Sequence, residues 1–462
     1  MSYLIYPAAF VFILGSAVVL HEFGHFIVAK LLKIRVETFS VGFGPRLLGR
    51  TFGTTDYRIS AIPLGGYVKL GGDESNAPLE GQGASDIPPN EMFNLRPRYQ
   101  RIMVALAGPI MNILTAMAIP FAGALMYGVP ATPAPVVSYV TKGGVAEQAG
   151  LIAGDRVISF NGTANPTWDE ISGDALLSPG RPLPLVINRN GQEIALTIKP
   201  AARTENGDTA GFLEFIPDYG GLPVVISDVA PNSPAEESGL KADDRVVSIG
   251  SDQVRSAAQI TEYIHSHESQ AIPLTVNRNG QTVQLTTVTR RLPGSLLGIH
   301  VGEQYPLHKA GFGSALGYAY DSNMQILQLT GKALAQVFRG QRSVSNTLSG
   351  PIGIYQAAQK SVERLGWDGV FGMLGFLSLN LGIFNLLPIP VLDGGAIFLL
   401  LIEGLLALIG LSLSVTVRDR IQQVGFVMVL LLMVFVITND VLKSFRGSRS
   451  EPEQPAASAP AK

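Results

Sequence analysis

The sequence predicts a polytopic α-helical membrane protein of four spans, the third of them broken, with a duplicated α+β insert between the second and the third. Three observations carry that reading. Four long segments are apolar enough to sit in a bilayer. Only 15% of the 462 residues are charged, low for a water-soluble chain of this length. Within the insert, residues recur at a constant offset of 89 positions, which duplication produces and shared composition does not.

The first segment, in region 1–35, runs from about Leu4 to Leu32. A cleaved leader would start with basic residues and end on small ones. Neither is present, and the apolar run continues past Leu20, so a retained span is expected. The second, in region 101–129, runs from Ile102 to Val129 and is opened by Arg96, Arg98 and Arg101. The third, in region 368–413, covers Val370 to Leu413. As one helix it would measure roughly 60 Å, about twice the hydrocarbon thickness, so Pro388 and Pro390 must break it. The fourth spans 421–442, Ile421 to Leu442. The tail, 443–462, is rich in Ser, Pro, Ala and Glu and reads as disordered.

Basic residues set the orientation. Lys30, Lys33, Arg35, Arg46, Arg50, Arg58, Lys69, Arg96, Arg98 and Arg101 crowd the region between the first two spans, which places region 36–100 on the cytoplasmic side and the insert opposite. Lys443, Arg446 and Arg449 run against this rule and are outweighed. The absence of cysteine excludes disulfides and thiolate metal sites. A net charge of -2 without a basic stripe speaks against a nucleic-acid partner.

The first span contains His21-Glu22-Phe23-Gly24-His25. On a helix, positions i and i+4 share a face, so both imidazoles can hold one ion while Glu22 works on a metal-bound water. Ionisable groups in a span are costly and are functional candidates by default. A catalytic zinc takes a third protein ligand, and the apolar segments offer Asp393, Glu403 and Asp440. Asp393 stands out because Pro388, Pro390, Gly394 and Gly395 forbid a continuous helix around it. Non-helical backbone at this depth survives where protein or a wet cavity covers it. Glu403 and Asp440 read as snorkelling or span-end groups.

In the insert, Ala146, Gly150, Leu151, Asp155, Arg156 and Val157 fall on Ala235, Gly239, Leu240, Asp244, Arg245 and Val246. Asn188-Arg189-Asn190-Gly191 falls on Asn277-Arg278-Asn279-Gly280, and each Asn-Gly signals a two-residue hairpin. Each copy opens on a β-rich run, Val136 to Val140 and Val224 to Val229. The pattern resembles the PDZ domain family over Val136–Pro200 and Val224–Arg290, giving PDZ-like domains at 130–205 and 220–291. That resemblance implies peptide ligands added along a sheet edge; the alternative is a pair that only fills space or limits access. Residues 292–367 read as a linker in which His308 to Tyr320 forms an amphipathic helix on the membrane surface.

HExxH in the first span with Asn385-Leu-Leu-Pro388-Ile-Pro390-Val-Leu-Asp393-Gly394 in a later one resembles the site-2 protease family of intramembrane zinc metalloproteases. Ala107-Gly108-Pro109-Ile110-Met111-Asn112, Phe39 to Pro45 and Ile62 to Leu70 fit the same family, and the likeness covers about 4–442. It implies one Zn2+ per chain held by His21, His25 and Asp393, with Glu22 as general base. Asn385 would hydrogen-bond the substrate backbone, or alternatively pack as a bundle amide. Gly108 and Asn112 read as packing positions.

Tyr57 to Leu70 reads as two short strands around Pro63-Leu64-Gly65-Gly66, a membrane-associated β-hairpin to which the resemblance adds a re-entrant position. Its residues Gly65, Gly66, Tyr67, Val68 and Lys69 would offer an unwound substrate replacement hydrogen bonds; an ordinary cytoplasmic hairpin is the alternative. The resemblance implies a bacterial inner-membrane enzyme with its PDZ-like pair in the periplasm and its site toward the cytoplasm. Its substrate would be a pre-trimmed single-pass anti-sigma factor, with remnant signal peptides a second class, and the lipid bilayer its surroundings. Two other readings compete: a membrane-tethered PDZ scaffold with a vestigial metal site, and a cation transporter. HExxH is poorly suited to ion release, and the repeats are not inverted spans.

Overall fold

The computed structural model describes residues 2–73, 87–130, 135–205, 208–217, 222–290, 296–303, 307–341, 344, 350–411 and 414–447. It divides into two compact units, Met1–Met126 with Ala310–Lys462, and Tyr127–Lys309. Among the described residues, four helices are long and apolar enough to cross a membrane: Ile5–Leu31, Arg98–Tyr127, Leu365–Asn385 and Thr416–Lys443. Their outer faces carry large apolar side chains that water would penalise and lipid accommodates, such as Leu114, Val424 and Leu431.

The first unit is built on helices α1 (Ser2–Leu31) and α2 (Arg98–Tyr127), followed by α3 (Phe312–Phe338), α4 (Pro351–Asn385), α5 (Asp393–Leu408) and α6 (Val415–Gly447). Helix α1 ends where Lys33 turns to a positive φ of 56°. The Arg96 guanidinium then donates to the carbonyls of Leu32 (3.0 Å) and Lys33 (2.7 Å), tying the entry of α2 to the end of α1. Two buried clusters follow. Ala29, Ile34 and Val36 pack with Val68, Leu70 and Val104, and Ile13 and Ala17 pack with Ala358, Val370 and Leu374.

Helix α4 is two helices joined at Gly366, whose φ of 57° and ψ of -128° only glycine adopts readily. The chain breaks after Asn385 and restarts at Asp393 as α5, the interruption that the two prolines demand.

Three sequence expectations change. First, the β region is larger than a hairpin of two short strands. Strands β1 (Val36–Phe52) and β2 (Thr55–Leu70) pair along their length, and residues 38–41 are flanked on both sides. Phe39 faces Val68 and also Tyr57, and Val41 faces Gly66 and also Ile59. Thus 57–59 and 66–68 do not pair with each other; each pairs with the segment between them. The sequence around Pro63 cannot reveal this because the central partner lies some twenty residues upstream. Second, the surface helix expected at His308–Tyr320 starts at Phe312 and continues to Phe338. It lies along α2, with Asn323 Nδ2 donating to Ala116 O (3.1 Å) and Phe312 edge-on to Phe121. Third, α6 extends to Gly447, so 443–447 are helical rather than disordered; 448–462 lie outside the described residues.

The second unit carries the repeat. In the first copy, strands at 156–160, 183–189 and 192–198 form a sheet, and 137–140 joins it through a bridge from Val136 to Arg156. In the second, 224–229, 245–249, 271–278 and 281–288 follow the same order. Each copy gains one more strand from beyond the expected boundaries, Phe215–Pro217 on 137–140 and Ile299–Glu303 on 224–229. Asn190-Gly191 and Asn279-Gly280 all have positive φ, the geometry a two-residue hairpin requires.

The duplicated Asp-Arg pairs explain part of the motif. Arg189 Nε donates to Asp155 Oδ1 at 2.7 Å, and Arg278 Nε to Asp244 Oδ1 at 2.6 Å. In each copy the same guanidinium also reaches a glycine carbonyl, Gly150 or Gly239, at 2.7 Å. Both aspartates are wholly buried, where an unpartnered carboxylate is expensive. Burial pushes the Asp244 carboxyl up, but Arg278 and the Lys241 N–H outweigh it and hold the group below its ordinary value.

Two outcomes follow. Arg278→Ala should destabilise the second copy by on the order of 3 kcal/mol, because it strands a buried carboxylate; faster amide exchange confined to 224–303 is the readout. Because Asp244 titrates lower folded than unfolded, its stabilisation is complete above the unfolded value near 3.9 and fades as pH falls through the lower folded one. Acid titration of exchange in the same strands should show that loss in wild type and a weaker one in Arg278→Ala.

Candidate metal centre

Helix α1 presents His21 and His25 on one face, and α2 meets that face with a stripe of its own. Val104, Gly108 and Asn112 recur at intervals of four, the same spacing as the histidines, and each touches the pair. His25 Nδ1 lies 2.7 Å from the Val104 carbonyl. A carbonyl only accepts, so Nδ1 carries the proton and Nε2 keeps its lone pair. The Asn112 side-chain amide sits 3.2 Å from His21 Nδ1, and its Oδ1 is otherwise buried without a partner. Turned over, the amide offers that oxygen to His21 Nδ1–H, which leaves the second Nε2 free as well. Asn112 is therefore more than the packing residue expected.

Gly108 is a steric requirement. A Cβ there would run into His25 Nε2 and, at 2.8 Å, His21 Cε1. Gly24 on α1 plays the matching part, since a Cβ on it would enter the Ala107 carbonyl. These two glycines let the helices approach at the level of the imidazoles.

Asp393 arrives from the break. Pro388 is exposed and Pro390 half-buried, and Val391 takes a φ of 85°, a strained value for a β-branched residue. A Cβ on Gly394 or Gly395 would collide with the backbone of 386–389, so both must lack one for the loop to fold onto the first turn of α5. The result places Asp393 Oδ2 3.0 Å from His21 Nε2 and Oδ1 3.5 Å from His25 Nε2, with the two Nε2 atoms 3.2 Å apart. Ligands about 2.0–2.1 Å from a tetrahedral zinc lie roughly 3.3 Å from one another, so the three donors stand close to the edges of such a polyhedron. Three nitrogen and oxygen donors, two oriented imidazoles and one open position fit zinc.

The other expected site residues divide. Asn385 Nδ2 comes within 3.3 Å of His21 Nε2, at the metal centre itself. Glu22 is half-buried and accepts the Val68 backbone N–H at 3.1 Å. Gly65, Gly66, Tyr67, Val68 and Lys69 are all buried. Tyr67 stacks on Phe43, and Lys69 forms an ion pair with Glu37 at 3.5 Å. The Tyr67 and Lys69 side chains are thus committed to the fold.

Asp440 stands near the end of its span, as expected, and both it and Glu403 have partners within the protein. Glu403 lies 3.8 Å from Arg418, and Asp440 is buried against backbone amides. The Val104 and Asn112 contacts escaped the sequence reading, although the interval of four along α2 was a signal that could have found them.

Residues 9–432 match peptidase family M50. The chain is 32% identical over 464 residues to "Regulator of sigma-E protease RseP" of Salmonella typhimurium, covering 94% of this chain and 97% of the relative. It is 30% identical to the protein of that name in Escherichia coli K12, over 95% of this chain and 99% of the relative. A "Putative zinc metalloprotease" of Vibrio cholerae is 32% identical over 94% and 97%.

Gly108→Ala should displace the imidazoles while leaving every ligand in place. Bound zinc is expected to fall well below one ion per chain by metal analysis, and full occupancy would refute the steric argument. Asn112→Ala should weaken zinc binding by about 10- to 100-fold, the usual cost of losing a partner behind a ligand.

Proposed function

The chain belongs to peptidase family M50 and is a zinc metalloendopeptidase of the regulated intramembrane proteolysis class, and on that premise we propose that it hydrolyses a peptide bond within the transmembrane segment of a pre-trimmed single-pass protein. The observation that carries the reading is Glu22, which lies beside the His21, His25 and Asp393 cluster and accepts the N–H of Val68 on strand β2. One carboxylate thus joins the metal centre to a strand.

In this reading His21, His25 and Asp393 hold the zinc. When bound, zinc supplies Lewis acidity and lowers the pKa of a water at the open position. Glu22 would act as the general base that accepts a proton from the attacking water and would pass it to the departing amine. Asn385 would donate to the substrate backbone, a role its 3.3 Å distance from His21 Nε2 supports. A transmembrane helix hides its peptide groups in internal hydrogen bonds, so cleavage requires unwinding, and the freed groups need new partners in a setting without water. The backbone of 65–69 supplies them by strand addition. The buried side chains there support this role, since they fix the strand rigidly.

The region between the first two spans, with its basic residues, is assigned to the cytoplasmic side of a bacterial inner membrane, and the repeats to the periplasm. There the repeats act as PDZ-like domains that admit only shortened substrates, with extended peptides as their own ligands. Relatives named regulator of sigma-E protease support an anti-sigma factor as the substrate, with remnant signal peptides a second class.

Glu22→Gln spares the ligands and removes the base. Cleavage of a model single-span substrate in membranes should drop by several orders of magnitude with zinc retained; equal product from both proteins would favour a scaffold role instead. Removing both repeats should allow untrimmed substrate to be cut, and continued protection of that substrate would end the filter idea.

A further inference from the structure

Asp440 has no part in the chemistry above, yet it is an acid in an apolar helix and only 3% exposed. Burying such a group is costly unless it is fully bonded. Its carboxylate accepts from the backbone N–H of Gly350 at 3.0 Å, Ile352 at 3.1 Å and Gly353 at 3.1 Å. These are the opening peptide groups of α4. That helix has no cap of its own, because Gly350 has no side chain and Pro351 no N–H. Gly350 is itself required, since a Cβ there would lie 2.7 Å from Asp440 Oδ2. The N-cap of α4 is therefore supplied by α6.

A second contact fixes the other part of α6. A Cβ on Gly425 would enter Pro390 Cβ and lie 2.9 Å from the Pro390 carbonyl oxygen. Fifteen residues of helix separate Gly425 from Asp440, about 22 Å. One region of α6 thus seats on the start of α4 and another on the break that delivers Asp393. The first half of α4 in turn packs on the helix of His21 and His25, with Tyr355 edge-on to Phe10 and Ala358 among Ile13 and Ala17.

We propose that Asp440 is a positioning residue for the metal centre. By capping α4 it fixes α6 along its axis, and with it the seat of Gly425 on Pro390, three residues before Asp393. This rests on the reading of His21, His25 and Asp393 as zinc ligands.

The test uses the full-length protein and two substitutions. Asp440→Ala removes every acceptor, and Asp440→Asn keeps one oxygen of a good capping residue while removing the charge. Zinc release to a chelator, amide exchange at 350–353, and kcat and KM on a model substrate are measured for both. Asp440→Ala should release zinc about tenfold faster, the low end of losing support behind a ligand, with a lower kcat, an unchanged KM and faster exchange at 350–353. Asp440→Asn should fall between it and wild type.

Wild-type zinc release from both variants would overturn the proposal, as would a change confined to KM. If Asp440→Ala does not accumulate, Asp440→Asn decides alone: faster zinc release with faster exchange supports the role, and wild-type release refutes it. Failure of the wild type itself to bind zinc would instead remove the ligand assignment beneath it.

Discussion

The close approach of α2 to α1 at Gly108 is the constraint on which the rest of the site depends. A methyl group at that position would occupy the space of the two imidazoles. Only because it is absent can the Val104 carbonyl reach His25 Nδ1 and the Asn112 amide reach His21 Nδ1. Those contacts in turn leave both Nε2 atoms facing Asp393. An HExxH helix alone would present two histidines with free rotors and undecided tautomers. The second helix fixes their direction, and on the reading of both as zinc ligands such support behind a ligand sustains affinity.

On the proposed function, the β region answers a different problem. A membrane helix cannot be cut while its peptide groups stay bonded to one another, and few partners exist in hydrocarbon for groups that are released. An accepting edge must be rigid and close to the base. Residues 38–41 provide the rigidity, since they are held from both sides by the two parts of β2. Lys69 on Glu37, Tyr67 on Phe43, and Val68 and Leu70 in the cluster with Ala29 and Val104 lock the outer segment against α1 and α2. Proximity follows from the Val68 N–H on Glu22. The Tyr67, Val68 and Lys69 side chains serve the fold.

What could be read from sequence was local or periodic. HExxH is a helical interval, the Pro388 to Gly395 break is backbone stereochemistry, and the duplication is a constant offset that survives without knowledge of any contact. The four apolar helices follow from length and composition. What could not be read depends on partners far apart in the chain. The double pairing of 38–41 needs register information that no hairpin signal carries. Asp440 looked like a span-end acid because its three donors lie about ninety residues upstream, in a stretch with no capping side chain to advertise a missing partner. Helix α3 was cut short in the sequence reading because its buried face, Ala315, Ala319 and Asn323, is made of small and polar residues with little apolar contrast.

That last group of misses has a common physical basis. In water, an acid near a helix end or an amide in a helix interior is unremarkable, because solvent completes its hydrogen bonds. In an apolar surrounding each such group must find its partner within the protein. Asn323 donates to Ala116, Glu403 faces Arg418, Asp440 caps α4, and Glu22 holds the Val68 amide. All but the Glu403–Arg418 pair, which joins consecutive helices, tie together elements remote in sequence, so the polar residues of the apolar helices specify the assembly more sharply than the many Leu and Val side chains around them. A bundle held by apolar packing alone tolerates sliding of one helix along another. One pinned by buried acceptors does not, and a three-ligand metal centre drawn from both ends of the chain needs that restriction.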